Sequence, residues 1–369
     1  MLLNNKGVIG VSDLRILDCT LRDGGYYNNW NFSLDTVRKY LSAMIGSGVS
    51  VVELGYRFSP SSSFYGAYAY CNEEFLGLLE LSKDLEFAVM IDEKNVSNYS
   101  GGVQAFFDDF FLEESESVVS IVRVAVHQDR IVYAEHICLV LQSLGYEVYL
   151  NIMQIHQCSA EDIESISTQV ESWNCVSILY FADSLGSLNA NQIEKIVQTI
   201  KKKWHGKIGF HAHNNCNNAL DNTMKAYELG CTSIDATVNG MGRGAGNTPT
   251  EMLLIALHKN GTNFEYLHNL FDIVLNDFSK LKEKYKWGGG LLYQLSALKN
   301  VHPSYIQQII SNATYDTNSI LDGIDYLSNN EGYAFSDEKL HKAYLKNEKK
   351  EGSTNLSGYF SEKNILIIG

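Results

Sequence analysis

The strongest constraint on the fold is that a short apolar run and a longer segment of helical periodicity alternate eight times along the chain. Each run is rich in β-branched and aromatic residues and is bounded by turn residues, which is typical of strands buried on both faces. The predicted strands are residues 14–20, 49–55, 87–93, 119–126, 146–154, 176–183, 206–213 and 232–240. Between them, apolar side chains recur at helical spacing; in the first long segment this stripe consists of Val37, Tyr40, Leu41 and Met44.

Eight strand–helix units predict an α/β fold of the (β/α)₈ (TIM) barrel type, whose usual size is ~250 residues. A doubly wound open sheet is the alternative. The eighth unit, and the polar residues at the C-terminal ends of almost all the strands, favour a closed barrel. We expect the barrel to occupy residues 12–260 and a helical C-terminal extension to follow over residues 261–345. Residues 346–369 read as a linker and the start of a further α/β unit, because they end in a short apolar run.

Composition excludes several classes of function. The chain has 369 residues, of which 45% are hydrophobic and 20% charged, so a disordered chain is excluded. A net charge of −14 disfavours nucleic acid as a partner. No apolar run reaches the ~18 residues of a membrane span. The seven cysteines form no C-x-x-C pair, so we expect buried thiols in a cytoplasmic protein that acts away from membranes.

Chemically active residues follow three of the predicted strands. The first strand runs into Asp-Cys-Thr-Leu-Arg-Asp-Gly-Gly (18–25), and the seventh ends in His-Ala-His-Asn-Asn (211–215). The eighth is followed by the glycine-rich turn Asn-Gly-Met-Gly-Arg-Gly-Ala-Gly-Asn-Thr-Pro (239–249). In a closed barrel the first and eighth strands are neighbours and the seventh is one further round, so these three segments meet at the end of the barrel that carries catalysis.

The residue types in these segments predict a divalent metal ion. Side chains alternate along a strand, so His211 and His213 point to the same face, and Asp23 can complete a set of three ligands. Asn247 offers an additional amide oxygen. Nitrogen and oxygen ligands suit Mn²⁺, Mg²⁺, Co²⁺ or Zn²⁺, with positions left for a substrate. A histidine pair alone is more often structural, but the Arg-Asp-Gly and glycine-rich turns beside it favour the metal site.

These three motifs, in this order, resemble those of the HMG-CoA-lyase-like barrels, also called DRE-TIM metallolyases. Within that superfamily the likeness is greatest to the 4-hydroxy-2-oxovalerate aldolases. The resemblance implies that Asp23, His211 and His213 bind the ion, with Asn247 as an extra ligand, and that Arg22 stabilises an enolate oxygen. It further implies a lyase that makes or breaks a carbon–carbon bond of a 2-keto acid through a pyruvate-type enolate, with an aldehyde as the second small-molecule substrate.

Other residues are candidates for binding the substrate. In related aldolases a hydroxyl at the position of Ser184 helps to hold the substrate carboxylate, although Ser184 also suits the start of a helix. Glu53 faces either the barrel mouth or a basic structural partner. His127, and on weaker grounds Asn151 and Gln154, are placed to line the pocket.

The chain departs from the aldolase pattern at two points. Tyr26 stands where the aldolases have a histidine base, and an unperturbed tyrosine pKa near 10 makes it a poor base. The glycine-rich turn lacks the cysteine of lyases that act on acyl-CoA, which argues against HMG-CoA as the substrate. Tyr293 resembles a tyrosine that such aldolases bring over the site, and ordinary helix packing is its alternative role.

Three other functions remain as alternatives. One is a Claisen-type acyltransferase of the isopropylmalate or citramalate synthase kind, and another is a metal-binding barrel that has lost catalysis and serves as a scaffold. The glycine-rich turn also fits a degenerate dinucleotide fingerprint, but it follows the last strand of the barrel rather than the first strand of a βαβ unit. A homo-oligomer, or a partner enzyme bound through the C-terminal region, remains open.

Overall fold

Eight parallel strands close into a barrel in the computed structural model, which describes residues 14–60, 64–258, 264–311 and 315–343. Each strand pairs with its neighbours in chain order, and β1 closes the barrel by pairing with β8. This confirms the predicted (β/α)₈ barrel. The strands are β1 Arg15–Asp18, β2 Val51–Tyr56, β3 Glu86–Asp92, β4 Ile121–His127, β5 Glu147–Met153, β6 Ile178–Asp183, β7 Lys207–Ala212 and β8 Ser233–Ala236.

Helices connect successive strands and surround the barrel. The predicted apolar stripe of the first long helix is buried, and Ser33 caps that helix by accepting the backbone N–H of Thr36. The helices of the first 290 residues are α1 Thr20–Asp23, α2 Leu34–Met44, α3 Glu73–Leu76, α4 Glu93–Ser97, α5 Gly102–Phe110, α6 Ile131–Ser143, α7 Ala160–Trp173, α8 Ala190–Ile200, α9 Ala219–Glu228, α10 Thr250–Leu257, α11 His268–Ile273 and α12 Ser279–Tyr285. Among these helices and those that follow, none has both the length and the apolar character needed to cross a bilayer.

The eighth strand ends earlier than the sequence predicts. The prediction extended it to residue 240, but the chain leaves the sheet after Ala236 and forms a turn at Val238–Gly240. Asn239 there has a φ of 53°, in the left-handed region that interrupts a strand. The turn bends the glycine-rich segment over the end of the barrel, where it contributes to the site described below.

The barrel interior is layered. Its middle is an apolar cluster separate from the larger core between the strands and the helices; the cluster consists of Leu17, Cys19, Val51, Ala88, Ile121, Tyr149, Ile178 and Tyr180. Charged side chains fill the two ends. At the N-terminal end Arg15 pairs with Glu86 and Glu147, and at the C-terminal end lies a larger, fully buried set of charges.

The chain divides into two compact units, residues 1–290 and 291–369. The second unit is helical, with α13 Leu291–Leu298, α14 Pro303–Ser311 and α15 Thr317–Ser328, and residues 337–343 are also helical. A C-terminal helical extension was predicted and is present. The predicted linker and further strand over residues 346–369 lie outside the described residues.

Candidate active site

Three predicted ligand side chains converge at the C-terminal end of the barrel. Asp23 ends the one-turn helix α1, His211 lies in β7, and His213 directly follows that strand. Asp23 Oδ2 is 3.3 Å from His211 Nε2 and 3.7 Å from His213 Nε2. One ligand atom from each residue lies within 4.8 Å of the other two, and all three residues are buried. The structure therefore brings together one carboxylate and two imidazoles, as the sequence motifs predict.

Asp18 holds the turn that presents Asp23. Its buried carboxylate accepts hydrogen bonds from the hydroxyls of Thr20 (2.5 Å), Tyr40 (2.6 Å) and Thr250 (2.5 Å), and from the Thr20 backbone N–H. These bonds tie the first turn after β1 to the outer helices. The first aspartate of the Asp-Cys-Thr-Leu-Arg-Asp motif is therefore a structural residue, and the second faces the site.

The two histidines differ in how their second ring nitrogen is held. His211 Nδ1 lies 2.8 Å from Asp235 Oδ2, an arrangement that places the proton on Nδ1 and leaves Nε2 free to bind a metal ion. His213 Nδ1 is buried and makes no hydrogen bond to a described residue. A carboxylate–imidazole pair behind a ligand is typical of metal centres, so His211 is the better oriented of the two.

Asn247, predicted as an additional ligand, lies beside these residues. Its Nδ2 lies 2.9 Å from Asp23 Oδ2 and 3.2 Å from His211 Nε2, while its Oδ1 is buried without a hydrogen-bond partner among the described residues. A half-turn of the amide exchanges the two atoms and directs the oxygen toward the same point. Gly242 makes room for it, because a Cβ at that position would lie 1.7 Å from Asn247 Oδ1. The unpartnered amide oxygen, the Asp23 carboxylate and the two Nε2 atoms form a donor set that suits a divalent cation.

Two of the predicted ligands, Asp23 and His211, belong to a closed sequence of buried charged and imidazole side chains, which we call the charged ring. Successive members lie 2.6 to 3.5 Å apart, and the last returns to the first. Five strands or strand ends contribute, so the ring ties the barrel together across its interior. Its members are, in order, Asp23, Arg22, Glu53, Arg123, Asp235 and His211.

Arg22 and Arg123 share Glu53 as their common partner. Arg22 Nε donates to Glu53 Oε2 at 2.7 Å, and Arg123 Nη1 lies 3.1 Å from Glu53 Oε1, close enough for attraction but not aligned as a hydrogen bond. Glu53 therefore faces basic partners, one of the two positions that the sequence left open, and it is not among the residues that line the inner cavity. With Glu53 beneath it, the Arg22 guanidinium is fixed beside Asp23.

The neighbouring charges keep the acidic ligands ionised. Burial alone would raise the pKa of Asp23, but Arg22 and the two histidines outweigh it and hold that pKa well below its usual value. Burial also acts on Asp235, and there Arg123 and His211 lower the pKa. Burial lowers the pKa of His213 to about 3, which keeps its imidazole neutral. Ionised carboxylates and a neutral imidazole are the protonation states that a metal ion requires.

An inner and an outer cavity share two tyrosines in their linings. The inner cavity, of about 30 Å³, has room for about two water molecules. Its lining includes Asp23, His211, His213, Ser184, Asn151 and Arg243. The outer cavity, of about 300 Å³, shares Tyr26 and Tyr56 with it. The hydroxyls of these two tyrosines are 2.9 Å apart, and burial raises the pKa of Tyr56 well above its usual value.

The remaining candidates occupy different positions. Ser184 faces the inner cavity, where its hydroxyl oxygen accepts the Gln154 backbone N–H at 3.0 Å; it does not cap α8, whose cap is Asn189. His127 ends β4 half-buried and is not among the residues that line the inner cavity. Tyr293 is buried within the second unit.

Several functional residues were missed by the sequence reasoning. Arg123 and Asp235 lie in the middle of β4 and β8, and Tyr56 ends β2. The signal for the first two was present, since a charged residue inside a strand buried on both faces must have a partner. Arg243 was quoted as part of the glycine-rich turn but was not assigned a role, and it lines the inner cavity.

Comparison with known sequences identifies the family of the chain. The HMGL-like family model matches residues 13–276. The chain belongs to the HMGL-like family. A curated relative, the 4-hydroxy-2-oxovalerate aldolase of Pelotomaculum thermopropionicum, is 30% identical over 257 residues, which cover 69% of this chain and 73% of that protein. The aldolase of the same name from Geobacillus genomosp. 3 is 29% identical over 256 residues, covering 67% and 71%.

Solved structures show the same barrel fold. The N-terminal domain of a putative aldolase from Bacteroides vulgatus is 31% identical with a TM-score of 0.72, and the match covers 84% of this chain and 99% of that domain. HMG-CoA lyase from Bacillus subtilis is 16% identical with a TM-score of 0.58, covering 81% and 98%, and this likeness concerns the fold alone. The family model and the curated aldolases make the HMGL-like chain a carbon–carbon lyase, and its family implies a divalent metal.

Proposed function

We propose that this lyase forms or cleaves a carbon–carbon bond of a 2-keto acid through a pyruvate-type enolate, with a divalent metal ion held by Asp23, His211 and His213. The observation that carries the proposal is the convergence of these three ligand atoms within 4.8 Å, beside a guanidinium and a small cavity. Asn247 is proposed as the additional ligand. Mn²⁺ is proposed as the working ion, with Mg²⁺, Co²⁺ and Zn²⁺ as the other candidates.

The enolate is the high-energy species, and the chain surrounds its position with fixed positive charge. A divalent ion held by the ligands supplies Lewis-acid stabilisation of negative charge on the keto-acid oxygens. Arg22 lines the same cavity and is locked by Glu53, so its guanidinium needs no reorganisation as charge develops. Such preorganised donors typically contribute ~10²–10³ in rate.

Ser184 and Tyr26 are proposed to handle the carboxylate and the proton. The Ser184 oxygen already accepts a backbone N–H, so its own proton is directed to another acceptor, which we propose to be the substrate carboxylate. Tyr26 is the candidate proton carrier because its hydroxyl lies between the two cavities and 2.9 Å from that of Tyr56. In the condensing direction, a methyl carbon of the keto acid loses a proton and attacks the aldehyde carbon, whose oxygen then takes up a proton.

The outer cavity is proposed to receive the aldehyde. With about 30 Å³, the inner cavity is too small for two substrates, whereas the adjoining space of about 300 Å³ has aromatic walls and Asp92, Asn95 and Ser59 on its lining. His127 stays a proposed substrate contact, because it lies on β4 two residues after Ala125, which lines the outer cavity.

The test is deuterium exchange of the methyl protons of pyruvate, followed by proton NMR. We expect the Mn²⁺-loaded protein to exchange them and EDTA-treated protein to leave them unchanged. A series of aldehydes added with pyruvate, scored by adduct mass, then identifies the acceptor. Bound metal without exchange would overturn the proposal and favour the scaffold function, and release of free CoA from acetyl-CoA and a keto acid would favour the Claisen-type alternative.

A further inference from the structure

One guanidinium of the inner cavity lacks a counter-charge. Arg243 is about nine-tenths buried, its Nε has no hydrogen-bond partner, and its side chain makes no hydrogen bond or ion pair with any described residue. Its guanidinium lies over the ring of Tyr26, whose centroid is 5.2 Å from Cζ. The other two arginines of the cavity, Arg22 and Arg123, are both paired with carboxylates of the charged ring. A buried charge without a partner is costly, so a ligand that neutralises it is expected.

The loop that carries Arg243 is held on both sides. Tyr27 Oη donates to the carbonyl oxygen of Gly244 at 2.6 Å, and the backbone N–H of Ala245 donates to Asn215 Oδ1 at 3.0 Å. Gly246 has a φ of 87°, and a Cβ there would lie 2.0 Å from the carbonyl oxygen of Gly240. The backbone is therefore fixed where the side chain enters the cavity, and Arg243 is positioned before any ligand binds.

The charges around the cavity indicate what kind of anion fits. Three guanidiniums, including that of Arg243, balance the three carboxylates of the charged ring among the described residues, with the histidines taken as neutral. A bound divalent ion would leave an excess of two positive charges facing the cavity. Without Arg243 the excess would be one, which a singly charged keto acid would already neutralise.

We infer that Arg243 makes the site complementary to a dianion, the enolate of the 2-keto acid, rather than to the singly charged keto acid itself. This inference rests on the proposed function. The keto acid carries one negative charge on its carboxylate, and loss of a methyl proton adds a second on the former ketone oxygen. Arg243 then stabilises the enolate more than the ground state, which is the condition for raising the rate of proton removal.

Oxalate and pyruvate separate this role from simple carboxylate binding. Oxalate is a stable dianion with oxygens arranged like those of the enolate, and pyruvate is a monoanion. Each is titrated calorimetrically into the Mn²⁺-loaded protein and into its Arg243→Gln and Arg243→Lys variants. We expect Arg243→Gln to lower the affinity for oxalate by roughly 10- to 100-fold, which corresponds to the loss of one charge-assisted hydrogen bond. The affinity for pyruvate should fall by clearly less. Arg243→Lys should recover part of the oxalate affinity.

Controls distinguish a ligand-binding role from a structural one. Arg38→Gln makes the same change on the exposed face of α2 and should alter neither affinity. Arg243→Gln should keep its Mn²⁺ content. It should not lower the midpoint of thermal unfolding, because removing a buried charge that no carboxylate balances offsets the loss of its contact with the Tyr26 ring. The inference would be overturned, with the proposed function left standing, if Arg243→Gln lost equal affinity for oxalate and pyruvate, lost affinity for neither, or unfolded at a lower temperature. Wild-type protein that retains no Mn²⁺ would overturn the proposed function and the inference together.

Discussion

The two ends of the barrel interior both hold arginine–carboxylate clusters, yet only one has the features of an active site. At the N-terminal end Arg15 pairs with Glu86 and Glu147, and all three side chains reach water. At the C-terminal end the charged ring is buried, and it adjoins atoms without partners: Asn247 Oδ1, His213 Nδ1 and the Arg243 guanidinium. Charge clustering alone does not mark a site. The site is marked instead by buried polar atoms without hydrogen-bond partners. At the N-terminal cluster, the polar atoms are satisfied by the protein and the solvent.

The largest effect is expected from removing the carboxylate ligand. Asp23→Asn keeps the shape of the side chain but removes the charge, so the protein should lose its metal on dialysis and exchange pyruvate protons at least ~10³-fold more slowly, several kcal/mol of barrier. Elemental analysis and proton NMR measure the two quantities. Glu147→Gln makes the same change at the N-terminal end and should alter neither. Undiminished metal content in Asp23→Asn would show that the ligand set is wrong.

The second-largest expected effect is a difference between the two clusters in how much they stabilise the fold. Glu53→Gln leaves Arg22 and Arg123 buried without their common carboxylate, so the free energy of unfolding should fall by about 3–5 kcal/mol. Glu86→Gln at the solvent-exposed cluster should cost about 0–1 kcal/mol. Urea unfolding in EDTA measures both without a metal contribution. Equal losses would mean that the charged ring is no more buried in solution than the N-terminal cluster.

The orientation of His211 gives a smaller effect. Asp235→Asn removes the acceptor that fixes His211 Nδ1, so metal affinity should fall by about 10- to 100-fold. The surface pair of His205 and Glu171 has the same geometry at 2.9 Å, and Glu171→Gln is its matched control. Competition with a chelator measures the affinity. If both variants bind metal as the wild type does while folded, Asp235 has no part in holding the ligand.

The smallest effect is expected at Ser184. Ser184→Ala removes one hydrogen-bond donor to the keto-acid carboxylate, and KM should rise about tenfold with little change in kcat. Ser187→Ala, three residues further on the same loop, serves as the control. A fall in kcat at unchanged KM would assign Ser184 to the chemical step instead of to binding.

The sequence predicts the strands and the location of the site well because both depend on local signals. Apolar runs bounded by turns identify all eight strands, and the motif positions at strand ends identify Asp23, His211 and His213. The end of β8 was missed because the left-handed turn at Asn239 depends on the packing of the glycine-rich segment. The partners within the charged ring were missed for a similar reason. Arg123 and Asp235 are 112 residues apart, and only closure of the barrel brings them to 2.6 Å.

The central claim is that one divalent cation binds between Asp23, His211 and His213 at the C-terminal end of the barrel. The most direct test is anomalous diffraction from crystals grown with Mn²⁺, recorded on both sides of the manganese absorption edge. The account predicts a single strong peak in contact with Asp23 Oδ2 and the Nε2 atoms of both histidines. A peak at another site, or none at saturating Mn²⁺, would contradict it.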